Sequence, residues 1–183
     1  WGGGIRERMR FGGEVVQAMR REVGADFPIS LRWSQFKQQN YYARLANNPA
    51  ELEHVLLPLV DAGVDIFHAS ARRYWEAAFK ELSPLTLAGW TKKVTGKPTI
   101  AVGSVGLGGV ASTAKSSPAK IDSTTISFAD APLDGIEKVE ELLGREEFDL
   151  IAVGRALLAD PEWALKVREG RLSERRPFSK ELL

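Results

Sequence analysis

Short runs of mostly apolar residues alternate along the chain with stretches in which apolar residues recur every three or four positions. The runs have the length of β-strands, and the stretches between them have the period of amphipathic helices. Because strands that alternate with helices form parallel sheets, this order predicts a series of βα units. The four predicted strands are residues 27–32, 64–69, 99–103 and 150–154.

The predicted helices carry recognisable start and stop signals. Asn48 followed by Pro49 and Glu51 is typical of a capped helix start, and Gly63 is typical of the end of that helix. The apolar residues between these signals fall on one helical face, which predicts burial against the sheet. Similar patterns predict a leading helix that carries Phe11, Val15 and Met19, and helices over residues 86–94, 134–143 and 160–169.

Composition narrows the class of protein. The chain has 183 residues, of which 44% are hydrophobic and 27% charged, so it can bury a core. The absence of cysteine excludes a disulfide framework and thiolate catalysis, and two histidines alone argue against a zinc site. A net charge of +1 offers no general basic face for nucleic acid, and no apolar run is long enough to cross a membrane. We therefore expect a globular, cytoplasmic domain.

Two segments break the regular alternation inside the single domain predicted over residues 1–183. Residues 104–131 are rich in Gly, Ser, Thr, Ala and Lys without a sustained period, which predicts a loop insertion. From residue 171 onward charged residues become frequent and the helical pattern fades, which predicts a surface tail.

Two of the predicted strands end in a glycine that a polar residue follows, Gly103-Ser104 and Gly154-Arg155. Ligands of parallel α/β proteins bind at the carboxyl ends of strands, where glycine lets backbone N–H groups approach an anion. Arg155 adds a planar fork of donors, and the loops after the last two strands of a (βα)8 barrel often bind phosphate. The pair therefore predicts a phosphate site. The alternative is two simple turns, with Arg155 paired to a carboxylate such as Asp160.

Charged and aromatic residues also follow the first two strands. Arg32 ends an apolar strand, where its charge requires either an anionic ligand or a buried carboxylate. Arg73, Tyr74 and Trp75 mix a cation with aromatic rings, which suits either contact with a flat ligand or the packing of a loop edge. His68 lies within the second strand, and we interpret it as a core or rim histidine.

Several motifs follow one another in a specific order, at residues 2–3, 8–11, 29–32, 100–103 and 151–161. Their residues and spacing resemble the Old Yellow Enzyme family of NAD(P)H:flavin oxidoreductases, and the resemblance covers essentially the whole chain. The last motif is the most specific. The resemblance implies an α/β fold of the TIM (βα)8-barrel type, in which this chain supplies about four βα units, the C-terminal half-barrel.

The resemblance also implies a cofactor and the residues that hold it. FMN would lie at the carboxyl ends of the strands, NAD(P)H would reduce it, and an activated alkene would receive the hydride. Arg32 would lie beside the N1/C2 carbonyl edge of the flavin. The phosphate of FMN would be bound by Gly103, Ser104, Gly154 and Arg155, and the substrate mouth would be bordered by Arg73, Tyr74 and Trp75.

The sequence departs from the family pattern at its start. The family's opening run normally reads Tyr-Gly-Gly-Ser with Glu-Asn before the arginine, whereas Trp1, Gly4, Arg6 and Glu7 occupy those positions here. The family's substrate-anchoring His/Asn or His/His pair and its tyrosine acid belong upstream of this run. We therefore expect no catalytic residue of that set in this chain.

Three classes of function are compatible with these patterns. The first is an FMN-dependent ene-reductase, of which this chain is the flavin-phosphate-binding half. The second is a non-catalytic half-barrel fragment or engineered scaffold. Because a half-barrel leaves two open sheet edges, we expect a homodimer or a complementing half-barrel to close it. The third is another phosphate-binding barrel enzyme, an isomerase or lyase. That class needs acidic residues at strand ends, and Asp65 is the only strand acid, near the opposite end.

Overall fold

A computed structural model describes residues 1–37, 40, 42–107, 136–179 and 182 of the chain. At its centre is a parallel sheet of four strands, whose order in the sheet is their order along the chain. Each connection therefore moves one strand further in the same direction, as it does in a (βα)8 barrel. The strands are β1 (Ser30–Ser34), β2 (Ile66–Ser70), β3 (Thr99–Val102) and β4 (Leu150–Ala152).

Helices precede, connect and follow these strands, as the sequence predicts. The cap of the second helix is confirmed, because the Asn48 side chain accepts a hydrogen bond from the backbone N–H of Glu51 at 2.9 Å. Thr86 caps the third helix in the same way, accepting from the N–H of Gly89. The helices are α1 (Ile5–Val23), α2 (Pro49–Asp61), α3 (Leu87–Thr95), α4 (Ile136–Gly144), α5 (Arg155–Ala159) and α6 (Trp163–Arg168).

The strands and helices enclose the core on one face of the sheet. Because successive side chains of a strand point to opposite faces, one set packs under the helices and the other set faces away from them. The buried set includes Trp33, Phe67, Ala69 and Ala101. The other face ends in a row of small residues, since the register aligns Ser34, Ser70, Val102 and Ala152 at the carboxyl ends of the strands.

Helix α1 differs from the sequence expectation in the face that it buries. Its predicted apolar stripe is exposed, with Phe11, Val15 and Met19 at 55%, 43% and 47% of their accessible surface. The helix packs on α2 through the opposite side, where Gly13 and Val16 are buried. Gly13 lies against α2, since a Cβ there would stand at an ordinary contact distance of 3.9 Å from the backbone oxygen of Pro58.

Other details also depart from the predicted pattern. The first strand begins at Ser30 rather than Phe27, because its parallel pairing starts opposite Ile66. The short helix α5 was not predicted, and the helix expected from residue 160 begins at Trp163. Among the described residues, no helix is long and apolar enough to cross a membrane.

The two irregular segments are described in part. Residues 108–131 of the predicted insertion lie outside the described residues, whereas Val105 and Leu107 at its start are buried in the core. The predicted tail from residue 171 contains a short 3-10 helix, Leu172–Glu174, and both Leu172 and Phe178 pack against the core.

Candidate functional site

The candidate site lies along the edge of the sheet formed by the carboxyl ends of the four strands. Gly103 directly follows β3, and Gly154 comes two residues after the end of β4. Because β3 and β4 are neighbours, the structure brings the two glycine-polar pairs onto adjacent strand ends. Arg32 lies on β1, two strands away from β3, within the same face as the small residues at the strand ends.

Residue 103 must be a glycine because the loop that follows β2 comes very close to its backbone. Its φ is +150°, and a Cβ at this position would lie 2.4 Å from the backbone oxygen of Ala71. The Gly103 oxygen also accepts a hydrogen bond from the N–H of Tyr74 at 3.1 Å. A side chain at residue 103 would therefore push the two loops apart.

Ser104 continues this contact between loops. Its φ is +58°, and its hydroxyl donates a hydrogen bond to the backbone oxygen of Arg72 at 3.0 Å. Since the hydroxyl carries a single proton, this bond uses the only donor of the side chain. The donor that Ser104 can offer to an anion is therefore its backbone N–H.

Gly154 differs from Gly103 because nothing surrounds the position of a side chain. Among the described residues, no heavy atom lies within 4 Å of the place where a Cβ would stand. The glycine therefore serves no packing contact among the described residues. It leaves an open space at the carboxyl end of β4, next to Arg155.

Arg155 lies over an aromatic ring of the C-terminal segment. The central carbon of its guanidinium is 5.7 Å from the centre of the Phe178 ring, a cation–π distance. The carboxylate suggested as an alternative partner, Asp160, instead binds Lys166 Nζ at 2.7 Å. Asp160 therefore has a different cationic partner, and anion binding by Arg155 stays a prediction.

The ion pair of Asp160 and Lys166 anchors the segment that carries Phe178. Asp160 is 1% exposed and Lys166 7%, and one Asp160 oxygen also accepts from the N–H of Arg176 at 2.9 Å. The hydrogen bond from Lys166, aided by the N–H of Arg176, lowers the pKa of the Asp160 carboxyl below its usual value. Sequence reasoning missed this anchor because a lysine on a short helix usually points to solvent.

Arg32 and His68 lie side by side on neighbouring strands. An Arg32 nitrogen donates to the Ser70 hydroxyl at 3.1 Å, and no carboxylate pairs with Arg32 among the described residues. Burial, and then the charge of Arg32, lower the pKa of His68 below the usual histidine value, so the ring is neutral at pH 7. The sequence predicts either an anionic ligand or a buried carboxylate as the partner of Arg32. Since no described carboxylate pairs with it, the anionic ligand is the expectation that remains.

The three residues predicted at the substrate mouth occupy different environments. Arg73 forms an ion pair with Glu76 at 3.0 Å and lines an open cleft. Tyr74 is 2% exposed, its ring meets that of Trp75 edge to face at 5.0 Å, and burial raises the pKa of its hydroxyl. The structure thus places Arg73 at the surface of the cleft and Tyr74 in the core, and their role at a mouth stays a prediction.

The open cleft lies between the loops that follow β1 and β2. It has a volume of about 200 Å³ and is lined by four cationic side chains, one carboxylate and two aromatic rings. We call it the basic cleft, and these lining residues are Arg44, Arg72, Arg73, Lys80, Glu76, Phe36 and Tyr42. In the sequence, the signal for this cleft is that cations follow two neighbouring strands. The pattern of either loop alone does not show that the two sets of cations meet.

Comparison with known proteins finds relatives among oxidoreductases. The family model described as NADH:flavin oxidoreductase / NADH oxidase matches residues 1–133. An NADH oxidase of Thermoanaerobacter brockii is 30% identical over 181 residues, which are 95% of this chain and 23% of that protein. A cinnamate reductase of Clostridium sporogenes is 27% identical over 195 residues, with 97% and 25% covered. The chain thus spans about a quarter of the length of these relatives.

Solved structures resemble the fold closely enough to assign it. Morphinone reductase matches with a TM-score of 0.62 at 17% identity, over 99% of this chain and 39% of that one. A 2-naphthoyl-CoA reductase solved with 2-naphthoyl-CoA matches with a TM-score of 0.61 at 20% identity, over 96% of this chain and 23% of that one. Together with the four successive βα units, these matches confirm the TIM-barrel fold class predicted from the sequence, and the four strands are consistent with the predicted half-barrel.

Proposed function

The chain belongs to the NADH:flavin oxidoreductase / NADH oxidase family, the Old Yellow Enzyme family, and we propose that it is the flavin-phosphate-binding half of an FMN-dependent ene-reductase. When bound, FMN supplies the transfer of hydride from NAD(P)H to an activated alkene. The residues of this chain would bind the cofactor, orient it and supply a fixed positive charge. The catalytic acid and the substrate-anchoring pair of the family are not among the residues that we assign here.

The observation that carries this proposal is the open space at Gly154. The position of its absent side chain has no atom of the described residues within 4 Å, and Arg155 and the Gly103-Ser104 turn lie at the same edge of the sheet. A phosphate group placed there would accept from backbone N–H groups and from the guanidinium of Arg155. The donor set therefore fits the phosphate of FMN.

Each residue has a distinct role in the proposed site. Ser104 offers its backbone N–H, because its hydroxyl proton is already donated to Arg72. Arg32 presents a charge that no carboxylate among the described residues neutralises, which suits the N1/C2 carbonyl edge of a flavin. The small side chains of Ser34, Ser70 and Val102 beside it leave room above the sheet for a flat ring.

The experiment that tests the proposal is a titration of the purified chain with FMN, followed through the visible spectrum and the quenching of flavin fluorescence. We expect saturable binding that Arg155→Gln weakens at least about tenfold, since one charge-assisted contact to phosphate is lost. Arg168→Gln removes a cation that is 76% exposed and serves as the matched control. An unchanged flavin spectrum at saturating FMN contradicts the proposal.

A half-barrel that closes by self-association is a second candidate, and the surface of α1 favours it. Phe11, Val15 and Met19 form an exposed apolar stripe on α1. At the β4 edge of the sheet, Leu150 and Leu158 are 60% and 64% exposed. Among the described residues, β1 and β4 each have one strand neighbour. Two copies related by a two-fold axis would pair β1 with β4 twice and cover both apolar surfaces.

Light scattering of the purified chain tests this second candidate. We expect a mass of two chains, and Val15→Lys, which places a charge in the middle of the stripe, to shift the population towards one chain. A monomer at all concentrations that can be measured, with no partner protein bound, contradicts self-association. A complementing half-barrel would instead appear as a complex of unequal chains.

A further inference from the structure

The basic cleft contains two cations, Arg44 and Lys80, that no carboxylate among the described residues neutralises. It is lined by Arg44, Arg72, Arg73 and Lys80, and Glu76 is the one carboxylate among its lining residues. Glu76 pairs with Arg73, while neither Arg44 nor Lys80 has an ion pair within the described part of the chain. Like charges gathered in one cleft repel each other, and a bound anion relieves that repulsion.

The size of the cleft limits what it can hold. Its volume of about 200 Å³ is smaller than the roughly 300–1,000 Å³ of a pocket that encloses a whole small ligand. The cleft is also open to solvent along one side. Its dimensions therefore suit one end of an elongated ligand whose remainder lies outside.

Aromatic rings accompany the cations. Phe36 and Tyr42 both line the cleft, and Tyr42 is 80% exposed. An exposed ring beside cationic side chains offers a stacking surface for a flat heterocycle that bears phosphate groups. A purine nucleotide combines these two properties, whereas a simple inorganic anion would use the cations alone.

The position of the cleft ties it to the flavin site. Gln35 directly follows β1 and Ala71 directly follows β2, and both line the cleft. Ser70, the residue before Ala71, accepts the hydrogen bond from Arg32. The loop that lines the cleft continues to Arg72, whose oxygen accepts from Ser104. One end of a ligand in the cleft therefore lies at the same sheet edge as the proposed flavin site.

We propose that the basic cleft binds the phosphorylated adenosine end of the ligand that reacts at the flavin. Two ligands carry such an end: NADPH, with a 2′-phosphate on its adenosine, and a coenzyme A thioester, with a 3′-phosphate. The binding of phosphoadenosine follows from the cleft alone. The statement that the ligand's other end reaches the flavin rests on the proposed function.

Calorimetric titration of the purified chain with 2′,5′-ADP, 3′,5′-ADP and 5′-AMP tests the proposal without any flavin. We expect at least one bisphosphate to bind about tenfold or more tightly than AMP, because the additional phosphate meets an arginine or lysine. A preference for 2′,5′-ADP identifies NADPH as the source, and a preference for 3′,5′-ADP identifies a coenzyme A thioester. Equal affinity for all three nucleotides, or no binding, overturns the proposal.

A pair of variants shows whether the binding occurs in this cleft. Arg44→Gln with Lys80→Gln removes two exposed cations of the cleft, and we expect it to weaken bisphosphate binding at least about tenfold. Arg21→Gln with Arg168→Gln removes two exposed cations elsewhere and should leave the affinity unchanged. Equal losses in both double variants would show non-specific attraction and overturn the assignment.

The same samples separate this proposal from the proposed function. Titration with FMN should give the same affinity in the Arg44→Gln, Lys80→Gln variant as in the unaltered chain, while bisphosphate binding falls. If the chain binds bisphosphates in the cleft but no FMN, the proposed function fails and the cleft assignment stands. If FMN binds and the bisphosphates do not, the cleft assignment fails and the proposed function stands.

Discussion

Individual glycines at the strand ends have different physical reasons to be glycine. Gly103 cannot carry a side chain because the backbone of Ala71 lies where a Cβ would be, 2.4 Å away. At Gly154, nothing among the described residues lies within 4 Å of the place where a Cβ would be. The sequence shows two similar Gly-polar pairs, and the structure shows that one shapes the loop while the other leaves an open space.

Gly154→Ala should weaken FMN binding and leave the fold intact. The added methyl group would enter the space that we assign to the phosphate, and we expect at least about a tenfold loss of FMN affinity. Gly144→Ala is the matched control, because a Cβ there also meets nothing within 4 Å and residue 144 lies at the end of α4. Fluorescence titration measures the affinities and circular dichroism checks the fold. Equal FMN affinity in the two variants would contradict a phosphate site at Gly154.

His68 should make the folded chain less stable in mild acid. Its folded-state pKa is lowered, first by burial and then by Arg32, so between that value and the ordinary value of about 6.5 the unfolded chain binds more protons. The free energy of unfolding therefore falls as the pH drops below about 6.5 and through the folded pKa. Urea unfolding at several pH values should show a shallower acid loss in His68→Gln. An identical pH profile for both proteins would contradict this account.

At the scale of secondary structure elements, buried carboxylates connect segments that are distant in sequence. Glu147 is 2% exposed, and one of its oxygens accepts from the N–H of Thr86 at 2.9 Å. This bond joins the start of α3 to the segment that leads into β4. Asp160 and Lys166 connect α6 to the C-terminal segment in a similar way, through the N–H of Arg176.

Glu147→Ala should destabilise the fold by about 1–3 kcal/mol, because it leaves the buried N–H of Thr86 without its acceptor. Glu147→Gln keeps an acceptor for Thr86 and loses only the ion pair with the exposed Arg145 at 2.8 Å, so it should cost clearly less. Chemical unfolding followed by circular dichroism measures both variants. A loss that is as large in the glutamine variant as in the alanine variant would show that the charge, rather than the acceptor, supports the fold.

The elements also show how far the sequence could predict this fold. Local signals sufficed for the four strands and for the Asn48 cap, because short apolar runs and capping residues act over a few positions. They did not suffice for α5, which is five residues long and too short to show a helical period. Nor could they reveal that Lys166 is buried, since its burial depends on Asp160 and on the packing of the segment after residue 171.

For the candidate site, the sequence predicted which residues lie at the ends of the strands, and the structure showed which neighbours surround each of them. Spacing alone placed Gly103 and Gly154 at strand ends, and the sheet order makes those ends adjacent. The engagement of the Ser104 hydroxyl and the burial of Tyr74 depend on contacts between loops, which no local pattern encodes. The basic cleft is formed by residues of two loops for the same reason, so it could be found only after folding.

At the level of the whole molecule, the four-stranded sheet has one face and two edges that the described residues leave uncovered. The apolar stripe of α1 and the exposed Leu150 and Leu158 lie at opposite ends of the sheet. These surfaces are what the other half of a barrel would cover, whether it comes from a second copy or from a complementing chain. The relatives of this family, of which the chain spans about a quarter, are longer proteins.

The affinity of the purified chain for FMN, compared with that for riboflavin, tests the phosphate site most directly, because riboflavin has the same ring system and no phosphate. We expect FMN to bind at least about tenfold more tightly, because Gly103, Ser104, Gly154 and Arg155 hold the phosphate. We also expect Arg155→Gln to reduce this preference without changing the affinity for riboflavin. Equal binding of the two flavins by the unaltered chain would contradict the assignment of a phosphate site to these residues.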